Sequence, residues 1–147
     1  MTATLTRLSL RDVIAARAML ATGSSREQTA LAFHTEPEDL DRQLEQAANA
    51  GTNPMELLAA GKDILRQLTV DRGYLNLAVF GSVARGDARD DSDIDLLVQP
   101  PPHTGLYAFA QLADLLESII GCSVDLISYG GLKSGSHGTI LRDAVKL

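Results

Sequence analysis

Across 147 residues there is one cysteine, Cys122, so no internal disulfide framework can form and the chain suits a reducing cytosol. Positive charge is scarce. Thirteen Lys and Arg stand against 19 Asp and Glu, a net charge of −6, which argues against a general nucleic-acid coat and leaves room only for a local basic patch. No apolar run approaches the ~20 residues a membrane helix needs. The opening stretch MTATLTRLSLRD meets charge before any apolar run long enough for a secretory signal. His34, His103 and His137 show no metal-ligand spacing and read as surface or packing residues. There is no internal repeat and no low-complexity segment. What is present, 45% hydrophobic and 22% charged residues, is the composition of a globular protein. The expectation is a soluble, acidic, cytoplasmic protein with no membrane partner.

The first third reads as helices. Ser9 with Asp12 makes a capping-box pair, Leu10, Val13, Ile14, Arg17 and Leu20 follow helical spacing, and Gly23 stops the run. The stretch SSREQTALAF restarts with a serine cap, and a third helix opens at Pro37 and ends before Gly51. Three short helices with Ala30 central in the second resemble a helix-turn-helix unit. In such units the third helix meets the DNA major groove. Here that helix carries Glu36, Glu38, Asp39 and Asp41 against Arg42, so phosphates would be repelled. DNA binding is the weaker reading, and a helical appendage that packs on the main domain or docks a protein is the stronger. Asn53 and Pro54 open a fourth helix with an apolar stripe of Leu57, Leu58, Gly61, Ile64, Leu65 and Leu68. The boundary is placed so that residues 1–52 form the helical segment and 53–147 the main domain.

From Leu75 the pattern changes to strand, turn, strand (DIDLLVQP), helix, strand (SVDLISY) and a closing helix, GTILRDAVKL, with a terminal strand. Pro100–Pro102 end the second strand, and Leu106, Phe109, Leu112, Leu115, Leu116 and Ile119 mark the helix that Gly121 stops. This predicts an α+β domain, α/β-like, with a small sheet covered on at least one face.

The chemistry gathers in LNLAVFGSVARGDARDDSDID, residues 75–95. Gly81 directly after a buried strand lets the backbone turn sharply and approach a ligand. Backbone N–H groups and the Ser82 hydroxyl can then hold phosphate oxygens. Taken alone, a Gly-Ser turn is usually only a turn. Asp93 and Asp95 lie two apart at the start of a strand and share a face, with Ile94 on the other. Such a pair is costly without a cation nearby, and magnesium with triphosphate oxygens suits it; alone, the pair could equally be a solvated strand edge. Asp125, flanked by apolar residues in its own short strand, needs a partner. If that strand pairs beside the second, Asp125 completes a carboxylate triad. Three such ligands suit two magnesium ions clamping an in-line phosphoryl displacement, with Asp125 placed to accept the proton of an incoming hydroxyl.

The run GSVARGDARDDSDIDLLV resembles the signature of the polymerase-beta nucleotidyltransferase superfamily, and the short main domain is similar to its minimal nucleotidyltransferase branch. The resemblance covers residues ~75–147 and leaves the N-terminal helices unaccounted for. It implies a small mixed sheet flanked by helices. It also implies nucleotide contacts from Gly81 and Ser82, metal ligation by Asp93 and Asp95, Asp125 as the third acid, and a loop or phosphate role for Arg85. Asp87 could orient Arg85, Asp90 and Asp91 solvate the loop, and Lys133 and Ser134 could reach the triphosphate. Cys122 reads as core, and Tyr74, Tyr107 and Tyr129 as half-buried anchors. No acceptor-cradling domain is expected after the triad, so the acceptor is expected to bring its own surface. Members of this branch are often antitoxins beside a HEPN-type ribonuclease toxin, and some move AMP from ATP onto a tyrosine of it. The resemblance therefore implies ATP as donor, a toxin protein as partner and a homo- or hetero-oligomer. An antitoxin acting by binding alone, or a DNA-binding autoregulator using the N-terminal helices, stands as the alternative.

Overall fold

The computed structural model describes residues 7–132 and 137–147, leaving out the side chain of His137. The helices α1 (Leu10–Ala21), α2 (Arg26–Ala32), α3 (Pro37–Ala48) and α4 (Pro54–Asp71) come first. The rest runs β1 (Leu75–Phe80), α5 (Gly81–Arg85), β2 (Ile94–Gln99), α6 (Leu106–Ile120), β3 (Val124–Ser128), a 3-10 turn at Tyr129–Gly131, α7 (His137–Asp143) and β4 (Val145–Lys146). The helix starts follow their caps. Asp12 N donates to Ser9 Oγ at 3.1 Å while Ser9 N donates to the Asp12 carboxylate, a reciprocal box that satisfies two orphan N–H groups. Ser25 and Gln28 repeat the device at α2. Asn53 caps α4 by accepting from Met55 N at 2.9 Å.

The strand order is β3-β2-β1-β4, with β1 antiparallel to β2 and β4 and β2 parallel to β3. The parallel pair is possible because α6 carries the chain back between β2 and β3. The result is the expected α+β mixed sheet. A one-residue bulge between Leu75 and Ala78 shifts the register of β1 on β2, and Asn76 takes a positive φ of 59° there.

The two sheet faces differ. Leu77, Val79, Ile94, Leu96 and Val98 point to one side and form the main core with Leu57, Leu58 and Leu65 of α4 and Leu112, Leu116, Ile119 and Ile120 of α6. Ala78, Phe80 and Leu97 point to the other and make a smaller cluster with Ile127, Tyr129, Leu132, Ile140 and Ala144. Both carboxylate-bearing strands turn their acids to this second side, where the cover is thinner.

The helical segment has its own apolar cluster of Leu8, Val13, Ala16, Ala30 and Leu40. Helix α1 serves both regions, giving Val13 and Ala16 to that cluster and Ile14 to the main core. Its Arg17 donates to Ile120 O at 3.4 Å, at the C-terminal end of α6 where a cation is favoured. Gly61 of α4 sits at the crossing of these helices. A Cβ there would lie 2.8 Å from Ile120 Cδ1 and 3.2 Å from Ile14 Cγ2. An alanine is absorbed by a shift of the Ile120 tip, but Gly61→Leu forces the helices apart. We expect Gly61→Leu to lower unfolding free energy by about 1–3 kcal/mol in urea melts, the usual cost of overpacking.

One expectation for α6 is corrected: Tyr107 is 77% exposed and is no half-buried anchor. Leu106, which keeps the expected helical spacing, is 86% exposed. The fully buried positions of α6 begin at Leu112, with Phe109 half-buried. The first turn of the helix therefore precedes the part that overlies the sheet, although its residues keep the helical spacing. Tyr74 is buried, and Tyr129 is half-buried with its hydroxyl donating to Asn76 O at 2.8 Å.

Candidate active site

Three chain segments meet at one end of the sheet. In β2, Asp95 is the register partner of Phe80 on β1 and of Asp125 on β3. Side chains paired across parallel strands share a face, so Asp95 and Asp125 stand side by side. Asp93 immediately precedes β2 and lies on the same side two residues earlier. Asp93 and Asp125 are exposed, while Asp95 is partly buried. Burial raises the Asp95 carboxyl above its ordinary range, and the charges of Asp125 and Asp93 push it further, opposed by Arg85. The site is therefore a set of mutually repelling acids.

Gly81 closes this set from β1. It has φ +71°, and a Cβ built on it would fall inside contact distance of Asp95 Oδ2 and 3.1 Å from its Cγ. The glycine is required twice, for its backbone conformation and for the space the carboxylate occupies. The chain then makes the five-residue α5, capped at Gly86 in the left-handed region, with Asp87 N donating to Ser82 O at 3.0 Å. Ser82 thus lies in the first turn after the glycine, beside β1. The helical turn expected after the glycine is present as α5.

Arg85 is engaged within the protein. Its Nη1 lies 3.3 Å from Asp143 Oδ2 of α7, and its Nε 3.5 Å from Asp87 Oδ2. The hydrogen bond to Asp143 and the charge of Asp87 hold the guanidinium above its ordinary pKa. The Asp87 contact is the expected one. Asp143 is not legible in the sequence, because no spacing rule ties the closing helix to the GSVARG run. Lys133 and Ser134 lie outside the described residues.

Cys122, just before β3, is half-buried against the core. Burial, with Asp93 and Glu117 nearby and Arg17 opposing, pushes its thiol up to about 11 from 9.0. At neutral pH it then carries on the order of a hundredfold less thiolate than an ordinary cysteine. Alkylation by iodoacetamide at pH 7.5 is expected to be slower than that of free cysteine by a similar factor, read by mass spectrometry.

Among the described residues, no three His, Cys, Asp or Glu side chains are grouped to hold a metal ion as they stand. The donor set nevertheless fits a hard divalent cation. Three carboxylates lie on one sheet face, one of them disfavoured as an anion by burial and by its two neighbours, and a cation would relieve that repulsion. Among the same residues, no helix is long and apolar enough to cross a membrane.

The nucleotidyltransferase domain family matches residues 62–147, the span that contains every residue of this constellation. The chain is 40% identical over 89 residues to protein adenylyltransferase MntA of Thermococcus cleftensis, covering 60% of this chain and 87% of that protein. A solved minimal nucleotidyltransferase superposes with a TM-score of 0.58 at 40% identity, covering 63% of this chain and 95% of the other. Both relatives are matched over most of their own length by about three fifths of this chain. With the glycine-serine turn, the paired aspartates and the third strand acid in one place, the chain belongs to the nucleotidyltransferase domain family, as an enzyme of its minimal type.

Proposed function

We propose that this enzyme transfers AMP from ATP to a hydroxyl of a partner protein, a tyrosine of a HEPN-type ribonuclease toxin, and so acts as an antitoxin. The single observation that carries the chemistry is the β2–β3 register, which sets Asp95 opposite Asp125 with Asp93 two residues away and Gly81 against Asp95. A relative named as a protein adenylyltransferase supports the donor and the acceptor class.

In this reading Gly81 and Ser82 receive the triphosphate, and Asp93, Asp95 and Asp125 hold magnesium, with room in the donor set for two ions. Bound magnesium would neutralise the triphosphate charge at this cluster. Asp125, the exposed acid on β3, takes the proton of the acceptor hydroxyl. The hydroxyl oxygen forms a bond to the α-phosphorus, the bond from that phosphorus to the bridging oxygen breaks, and pyrophosphate leaves. Arg85, already tied to α7, orders the loop that follows Ser82.

The alternative is an antitoxin that neutralises by binding. It is favoured by the separate apolar cluster of α1–α3, which catalysis does not use. DNA binding through α3 gains little. Asp41 and Glu38 are paired with Arg26 of α2, and Asp39 with Arg42, so the helix spends its nearby cations on its own acids.

Transfer of label from α-labelled ATP, with magnesium, to the HEPN-type candidate partner separates the readings. Label on the partner with wild type and none with Asp93→Asn supports the enzyme. A stable complex that forms without label, equally with Asp93→Asn, supports the binding antitoxin.

A further inference from the structure

The acids of the site depend on a loop, residues 86–93, that joins α5 to β2. Its internal bonds give it shape: Arg89 N donates to Ser92 Oγ at 2.8 Å and Ser92 N to Arg89 O at 3.0 Å. They do not fix it to the domain. The loop also carries Asp87, Asp90, Asp91 and Asp93, whose charges repel. From outside, Asn53 Nδ2 donates to Ala88 O at 3.2 Å and to Asp90 Oδ1 at 3.1 Å. The same side chain accepts from Met55 N through Oδ1, capping α4, whose Leu57, Leu58 and Leu65 are core residues. The amide orientation is fixed by its partners, since a carbonyl and a carboxylate can only accept and a backbone N–H can only donate.

We infer that Asn53 is a positioning residue, a clamp from the N-terminus of α4 that holds the acidic loop and with it Asp93. An amide is the side chain that can do both jobs. Serine or aspartate would cap the helix as well, but neither offers the two N–H donors that reach Ala88 and Asp90. A neutral donor also draws in the loop without adding to its charge. Asn53 lies before residues 62–147, so the family match does not assign it. The role rests on the nucleotidyltransferase reading of the site.

The test is Asn53→Ser, which keeps a helix cap and removes the clamp, with Asp90→Ala removing one partner from the loop side. Hydrogen exchange of residues 86–93 is measured in metal-free protein, and affinity for ATP with magnesium by calorimetry. Asn53→Ser is expected to melt near wild type, exchange faster across the loop and bind magnesium-ATP on the order of tenfold more weakly, as outer-shell changes do. Asp90→Ala shows a smaller loss, because the bond to Ala88 remains. Unchanged exchange and affinity in Asn53→Ser would overturn the inference. So would a lowered melting temperature in that variant with Asp90→Ala binding as tightly as wild type. If wild type itself bound no magnesium-ATP, the nucleotide reading would fall, and the exchange comparison would still decide whether Asn53 holds the loop.

Discussion

Asp95→Asn is expected to make the metal-free protein more stable and to remove its transfer activity. Burial and the charges of Asp125 and Asp93 raise the Asp95 carboxyl above the ordinary 3.8. The folded state therefore keeps this proton to higher pH than the unfolded chain does. Its contribution to stability is full below the unfolded value and is lost as pH rises through the folded one. Asparagine never ionises, so the advantage of the variant should grow from about pH 4 upward and then level off. Melting curves across pH without divalent ions check this sign. Magnesium should then raise the melting temperature of wild type and do much less for the variant, since an ion that binds only the folded state stabilises it. Transfer should fall on the order of 10³-fold or more, because an ion clamp is worth several kcal/mol of transition-state stabilisation and each 1.36 kcal/mol is tenfold. An Asn variant that was less stable than wild type at neutral pH, or still active, would remove Asp95 from the centre of the site.

The cost of pairing these acids is legible in the residues themselves. Asp93 and Asp95 flank Ile94, and alternation alone puts two acids on one face and Ile94 in the core, where it is fully buried. The place of Asp125 was conditional on strand pairing, and the β2–β3 register supplies that condition. Caps and stops also announced themselves, at Ser9, Pro37, Asn53 and Gly121, because each acts within one helical turn of its own position. What stayed hidden is what depends on distant residues. Asp143 reaches Arg85 across 58 positions, and Asn53 reaches Asp90 across 37, with no periodicity to predict either. Leu106 kept perfect helical spacing and is still exposed, since spacing says which face a residue shares and not how far along the helix its cover extends. Asn53 reads as a cap and is one, but its second set of bonds reaches a loop 35 and 37 positions away.

Gly81→Ala is expected to cost more activity than stability, and Gly86→Ala the reverse. Both glycines sit at positive φ, +71° and +82°, so an alanine at either meets the left-handed penalty of about 1–2 kcal/mol. Beyond that they differ. Nothing lies within 4 Å of a Cβ at Gly86, whereas at Gly81 it would run into the Asp95 carboxylate, 3.1 Å from Cγ and 3.4 Å from Cβ. Asp95 has little freedom to retreat, because its strand is hydrogen-bonded on both sides, to β1 at Phe80 and to β3 at Asp125. The carboxylate must rotate away from the face where the three acids meet. A displacement of about 1 Å at reacting groups costs on the order of 10²-fold in rate, so Gly81→Ala should lose about that much transfer while Gly86→Ala keeps most of it. Urea midpoints and label transfer, measured on both variants together, separate the shared backbone cost from the displaced carboxylate. Equal activity in the two would mean that Gly81 serves only the turn, and that the space beside Asp95 is not what the site requires.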